Sequence, residues 1–160
     1  MTTLEQQIIE TWRAHNRIMM FTLERIPDDA MKATLSTRGG RDIARQFAHI
    51  HMVRVWHIEA TNSKLAKTLI KFGKGTTPGK KKLLDALEQS GAAIEKYSQL
   101  CIDKAKTTAS FKRGVVPTLG YFISHEAHHR GSIVLTMKHS GFKLPETLKW
   151  GIWDWNKFRE

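Results

Sequence analysis

The chain is 160 residues long and carries 26 Lys and Arg against 15 Asp and Glu, a net charge of +11 before histidine is counted. That length suits one domain spanning 1–160, and a chain of this size buries about two-thirds of the surface it exposes when unfolded. Cys101 is the only cysteine, which excludes an internal disulfide and any cysteine-based zinc cluster. Hydrophobic residues make up 41 % and charged residues 26 %, a globular rather than a disordered balance. The opening MTTLEQQIIETW lacks the basic-then-apolar pattern of a signal peptide, and no apolar run approaches the roughly 18 residues of a membrane span. The expectation is a soluble, cytoplasmic protein with no membrane partner.

Helical periodicity dominates the chain. From 4 to 26, Leu4, Ile8, Trp12, His15, Met19, Leu23 and Ile26 recur every three or four positions, the stripe of an amphipathic helix. Pro27 and the acidic pair Asp28 and Asp29 end it. After the break at Gly39 and Gly40, a second helix is predicted over 41–61, with Ile43, Phe47, Ile50 and Val53 inward and Trp56 near the same side. The breakers between Phe72 and Gly79 read as a long loop. A third helix follows over 80–104 on Leu83, Leu84, Leu87, Ile94, Tyr97, Leu100 and Cys101, weakened at Gly91 by about 1 kcal/mol relative to Ala. A fourth runs over 117–140, with Pro117 in its first turn and Gly141 as its stop. Trp150, Trp153 and Trp155 crowd the tail, and aromatics at that density are expected to pack back onto the body. Four long amphipathic segments make an all-α four-helix bundle the natural architecture.

The chemistry lies in the histidines. His125 and His129 stand four apart, so both leave one face of a helix and can reach one metal ion, although such a pair also occurs as two polar residues on a half-exposed face. His49 lies within a core-type pattern of the second helix, where a lone imidazole is usually a hydrogen-bonded core residue and otherwise a third ligand facing the pair. His51 sits about 200° round the helix from His49, and His128 about 100° from His129, so both are expected at the surface or behind the ligands. The segment His125-Glu126-Ala127-His128-His129 also matches the HExxH pattern of zinc peptidases, whose Glu is a general base. Ser132 and Leu135 break the longer metzincin form, and no strand-rich segment supplies a substrate-binding sheet, although Glu146 is available as a downstream carboxylate. Lys74 and Lys81 spoil a P-loop reading of the Gly-rich loop.

With these residues in place, the chain resembles the DinB/YfiT-like metalloprotein superfamily. The resemblance is carried by Gln46-Phe47-Ala48-His49-Ile50 with Trp56 downstream, by His125 to Ser132, similar to a His-x-x-x-His-Arg-Gly-Gln signature, and by Gly141 to Pro145 with the Trp-rich tail. It implies a four-helix bundle holding one divalent ion, often nickel or zinc, on three histidines that map to His49, His125 and His129. Ser132 departs from the pattern, where Gln is usual, so no side-chain role is carried over there. Three imidazoles leave a metal with an open position, the mark of a catalytic site. Family members include transferases that use low-molecular-weight thiols such as bacillithiol or mycothiol, and the family often forms homodimers. The resulting expectation is a metal-dependent thiol S-transferase acting on a small electrophile, with a metal-dependent hydrolase as the alternative at the same site. Arg130 is expected as an exposed cation, or else as a group for an anionic ligand near the metal. A reading from another class rests on the acid-free stretch between Glu59 and Asp85, where the lysines from Lys64 to Lys82 would bind nucleic acid.

Overall fold

A computed structural model describes residues 2–105, 112 and 114–158. Its elements are helices α1 (Leu4–Arg25), α2 (Ile43–Thr61), α3 (Ser63–Ala66), α4 (Lys80–Asp103), α5 (Val115–His139) and α6 (Glu146–Gly151), with 3-10 turns at Asp29–Lys32 and Trp155–Phe158. No strand occurs among the described residues. The expected end of the third helix at 104 and the expected fourth-helix start are both met to within two residues. The short α3 lies in what reads as polar sequence and was not expected; Asn62 caps it by accepting from the Leu65 N–H at 3.1 Å.

Local sequence sets the helix ends. Thr3 and Gln6 form a reciprocal capping box at the start of α1, and Asp42 caps α2 by accepting from the Arg45 N–H at 2.7 Å. The α5 terminus is a Schellman turn: Phe142 N–H donates to Met137 O at 3.0 Å and Gly141 N–H to Lys138 O at 3.3 Å. Gly141 takes φ +81° there, a conformation that side chains with a Cβ rarely adopt.

The four long helices enclose a common core. α1 and α2 each pack on both α4 and α5, while α4 and α5 meet only slightly. Trp12, Ile18, Met19, Leu23, Phe47, Ile50, Leu83, Leu87, Phe122 and Ile133 are fully buried or nearly so. Each such side chain contributes about 1.5–3 kcal/mol when removed from water. Gly91 lies where α1 and α4 approach most closely: the Trp12 indole N–H donates to its carbonyl at 2.9 Å, and a Cβ there would land on the Asn16 side chain. Its cost in helix propensity therefore goes with a close helix crossing.

Two expectations for aromatic residues are corrected. The tail does dock on α1, but through Leu148, Ile152 and Phe158, the last edge-on to Phe21 at 5.2 Å. Trp150 and Trp153 are 63 % and 69 % exposed. They fall on the outer face of a segment whose inner positions are already filled by aliphatic residues and Phe158. Trp56 is likewise 52 % exposed rather than inward, because it follows His49 at two-turn spacing on the α2 face that the bundle leaves open.

Candidate metal centre

His49 in α2 and His125 and His129 in α5 come together at the seam where those helices pack. Each offers one ring nitrogen, and the three nitrogens lie within 4.8 Å of one another. Ring centroids stand 5.3 Å apart for His49 and His125, 5.0 Å for His49 and His129, and 4.7 Å for His125 and His129. Imidazole nitrogens bound to one tetrahedral zinc at about 2.0–2.1 Å stand about 3.3 Å apart, so the observed set closes on an ion by small side-chain rotations. The cluster contains no carboxylate among the described residues.

The electrostatics favour the ligand form of each ring. Burial, followed by the charges of Arg41 and His125, lowers His49 from 6.5 to about 4. Burial, then the neighbouring His125 and His49, lowers His129 to about 4 as well. His125 is also lowered, chiefly by burial, with the Glu126 charge opposing. All three are therefore neutral near pH 7, as metal ligation requires. The Nδ1 of His125 is buried without a hydrogen-bond partner among the described residues, as are those of His15 and His51 outside the cluster. His129 Nδ1 lies 3.5 Å from Gln46 Oε1, a long contact that orients the ring and leaves Nε2 for the cluster. The residues present thus fit a divalent ion.

The neighbouring glutamate has another occupation. Glu126 leaves α5 about 100° from His125 and points into the bundle. Its Oε1 accepts from Arg54 Nε at 2.7 Å and its Oε2 from Arg54 Nη2 at 2.6 Å, while His15 Nε2 lies 2.9 Å from Oε2. Arg54 Nη1 also donates to Asn16 Oδ1 at 2.7 Å and to Leu87 O at 3.1 Å. The side chains of Arg54 and Glu126 are both fully buried, and the cluster joins all four long helices. Burial opposes ionisation of Glu126, but the Arg54 charge and the bonds from Arg54 and His15 outweigh it and hold the carboxyl at about 2. A carboxylate so engaged cannot act as a base at the metal, which removes the zinc-peptidase reading. Glu146 is also elsewhere, exposed on α6 with Trp150 Nε1 donating to it at 3.2 Å.

Three further histidine and arginine expectations change or stand. His51, expected at the surface or behind the ligands, is fully buried with its Nε2 2.7 Å from Ile70 O, so it ties the following loop to α2. His128 is exposed, as expected. Arg130 is half-buried rather than free in water, its Nη1 3.7 Å from Met19 Sδ, and burial lowers its pKa. Sequence reading passed over Tyr121, stacked 5.8 Å from His125 one turn upstream, and named Trp56 without placing it beside His49, where its ring stands 6.3 Å away. Their helical spacing of four and seven from the ligands was the available signal.

The model of the DinB family matches residues 1–153. The chain belongs to the DinB family. Its helical fold and three-histidine cluster agree with that membership. Among curated proteins none matches this sequence. No described helix of this DinB-family chain is long and apolar enough to cross a membrane.

Proposed function

We propose that this protein binds one divalent metal ion, nickel or zinc, through His49, His125 and His129, and uses it to activate a low-molecular-weight thiol for transfer to a small electrophile. The observation that carries this reading is the convergence of three neutral imidazole nitrogens within 4.8 Å. An ion held there by three ligands supplies an open position and lowers the pKa of a thiol or water brought to it.

The protein residues supply the rest. His49, His125 and His129 stay unprotonated near pH 7 and do not compete with a proton for the ion. Gln46 holds the His129 ring, and Tyr121 stacks on His125. Thiol chemistry is favoured over peptidase-type hydrolysis because that reaction takes its general base from the Glu of the HExxH pattern. The adjacent Glu126 is locked onto Arg54, and the histidine cluster includes no acid among the described residues. A thiol once ionised needs no such base.

Elemental analysis of protein purified without a histidine tag tests the metal. About one ion per chain is expected, falling to background in His49→Ala and His129→Ala. Metal-free wild type that takes up no nickel or zinc would remove the reading. Hydrolysis of esters without thiol consumption would favour the hydrolase alternative. The nucleic-acid reading is weakened by charge pairing within the run, Lys71 with Glu59 and Lys80 with Asp28, both at 2.7 Å. Retention on DNA that vanishes when Lys80, Lys81 and Lys82 are neutralised would restore it.

A further inference from the structure

A cleft of about 440 Å³ opens between the first four turns of α2 and the loop 72–76, and His49 forms part of its wall. Its volume is that of a small-molecule site. Three cations, Arg41, Arg45 and Lys74, line it together with Trp56 and Phe72. None of the three cations forms an ion pair with a carboxylate among the described residues. Asp42 lies between the arginines in sequence but forms no ion pair with either; its oxygens accept from the Arg45 backbone N–H at 2.7 Å and the Thr77 hydroxyl at 3.2 Å.

The far wall is fixed in place. His51 holds Ile70 O at 2.7 Å, the Phe72 ring stands 5.3 Å from the His51 ring, and Phe72 N–H approaches Met52 Sδ at 3.3 Å. The cleft is therefore formed before any ligand enters. Three cations against the single nearby carboxylate of Asp42 leave the wall net positive, and an anion bound among them reduces their mutual repulsion. The positive charge of Arg41 also acts on His49, His125 and His129, which puts it within electrostatic reach of the metal cluster.

We propose that this cleft is the substrate subsite, and that it selects a small organic anion with an aromatic or apolar group. The carboxylate or phosphate lies on Arg41, Arg45 and Lys74, the apolar part lies against Trp56 and Phe72, and the reactive end meets the site at His49. The fate of the bound molecule rests on the metal-dependent reading above; its capture does not.

Isothermal titration of the whole chain, zinc-loaded and metal-free, with 4-(trifluoromethyl)benzoate and with phenyl phosphate tests this. The neutral 4-(trifluoromethyl)benzamide and simple acetate serve as the comparisons. At least one aryl anion is expected to bind at least about 10-fold more tightly than the amide, which lacks the charge-assisted bonds, and than acetate, which lacks the ring that lies against Trp56 and Phe72. Which of carboxylate and phosphate is preferred identifies the anion. Arg41→Ala/Arg45→Ala is expected to lose at least about tenfold and Arg41→Lys/Arg45→Lys to recover part of it, while Lys81→Ala changes nothing. Thermal melts that match wild type establish that the double variant is folded. Equal binding of amide and anion, or undiminished binding by the folded Arg41→Ala/Arg45→Ala protein, overturns the proposal. His129→Ala separates the two readings, because His129 does not line the cleft: it should lose zinc and keep the probe. Zinc uptake by wild type without probe binding sinks the cleft alone, and probe binding without zinc uptake sinks the metal alone.

Discussion

Two polar clusters lie side by side across α2 and α5, and they are opposite in kind. Arg54 and Glu126 are sealed in the core with their hydrogen bonds made, to one another and to His15, Asn16 and Leu87. His49, His125 and His129 stand one helical face away, half-buried, each bringing one ring nitrogen within 4.8 Å of the other two. His125 and Glu126 are neighbours in sequence, yet one serves each cluster. The comparison teaches that buried polar groups are structural where opposite charges pair, as Arg54 and Glu126 do, and indicate a ligand where like donor atoms converge with no charge between them.

The largest effect should come from unbalancing the closed cluster. Glu126→Leu leaves the Arg54 guanidinium buried and uncompensated, and should cost about 3–5 kcal/mol in urea denaturation. Arg54→Met combined with Glu126→Leu should recover most of that loss, because two well-packed apolar residues replace a pair whose desolvation offsets its attraction. A double variant no better than the single one would show that the pair itself stabilises the bundle.

A smaller effect sharpens the same contrast through helix packing. Gly91→Ala gains about 1 kcal/mol in helix propensity, but the new methyl meets Asn16, which holds Arg54. Net destabilisation of about 1–3 kcal/mol is expected, read as a lower urea midpoint with unchanged slope. A stabilised Gly91→Ala protein would mean that Asn16 moves aside freely.

The open cluster should respond in the reverse manner. His129→Ala should abolish metal uptake yet change the stability of the metal-free chain by less than about 1 kcal/mol, since it removes no strong internal bond. An effect as large as that of Glu126→Leu would make the histidines structural.

Much of this arrangement was legible in the sequence, and the gaps have physical causes. The four long helices follow from the three-and-four spacing of apolar residues, and the i, i+4 spacing of His125 and His129 fixes their common face. His49 was visible as their counterpart from the family motif. The closed cluster was not visible, because Glu126 finds its partner 72 residues away and sits inside a pattern that suggests a catalytic base. Arg54 between Val53 and Val55 was the available clue: a charge in an apolar stretch on a helix otherwise turned inward. The tail tryptophans misled because aromatic density says nothing of which face a short helix turns to the body. Arg41 and Lys74 lie far apart in sequence, and only the folding of the 72–76 loop onto α2 puts them in one cleft.

The smallest effect is on pH dependence. In the metal-free protein His49 and His129 titrate near 4 against an ordinary 6.5, so between those values the unfolded chain binds more protons than the folded one. Their contribution to stability is therefore present above pH 6.5 and is lost as pH falls through 4. Glu126, held near 2 against 4.5, contributes in the same direction above pH 4.5 and loses its share as pH falls through 2. Urea midpoints measured from pH 7 to pH 4 should fall with acid in wild type and fall less in His49→Ala/His129→Ala. Identical slopes would show that the two imidazoles titrate alike in the folded and unfolded chain, so that the fold does not lower them.

Diffraction from crystals of the zinc-loaded chain, recorded on both sides of the zinc absorption edge, addresses the three-histidine centre most directly. The account predicts one anomalous peak per chain, with a nitrogen of each of His49, His125 and His129 about 2.0–2.1 Å from it. Zinc bound elsewhere, or rings of these three residues turned away from a shared ion, would contradict it.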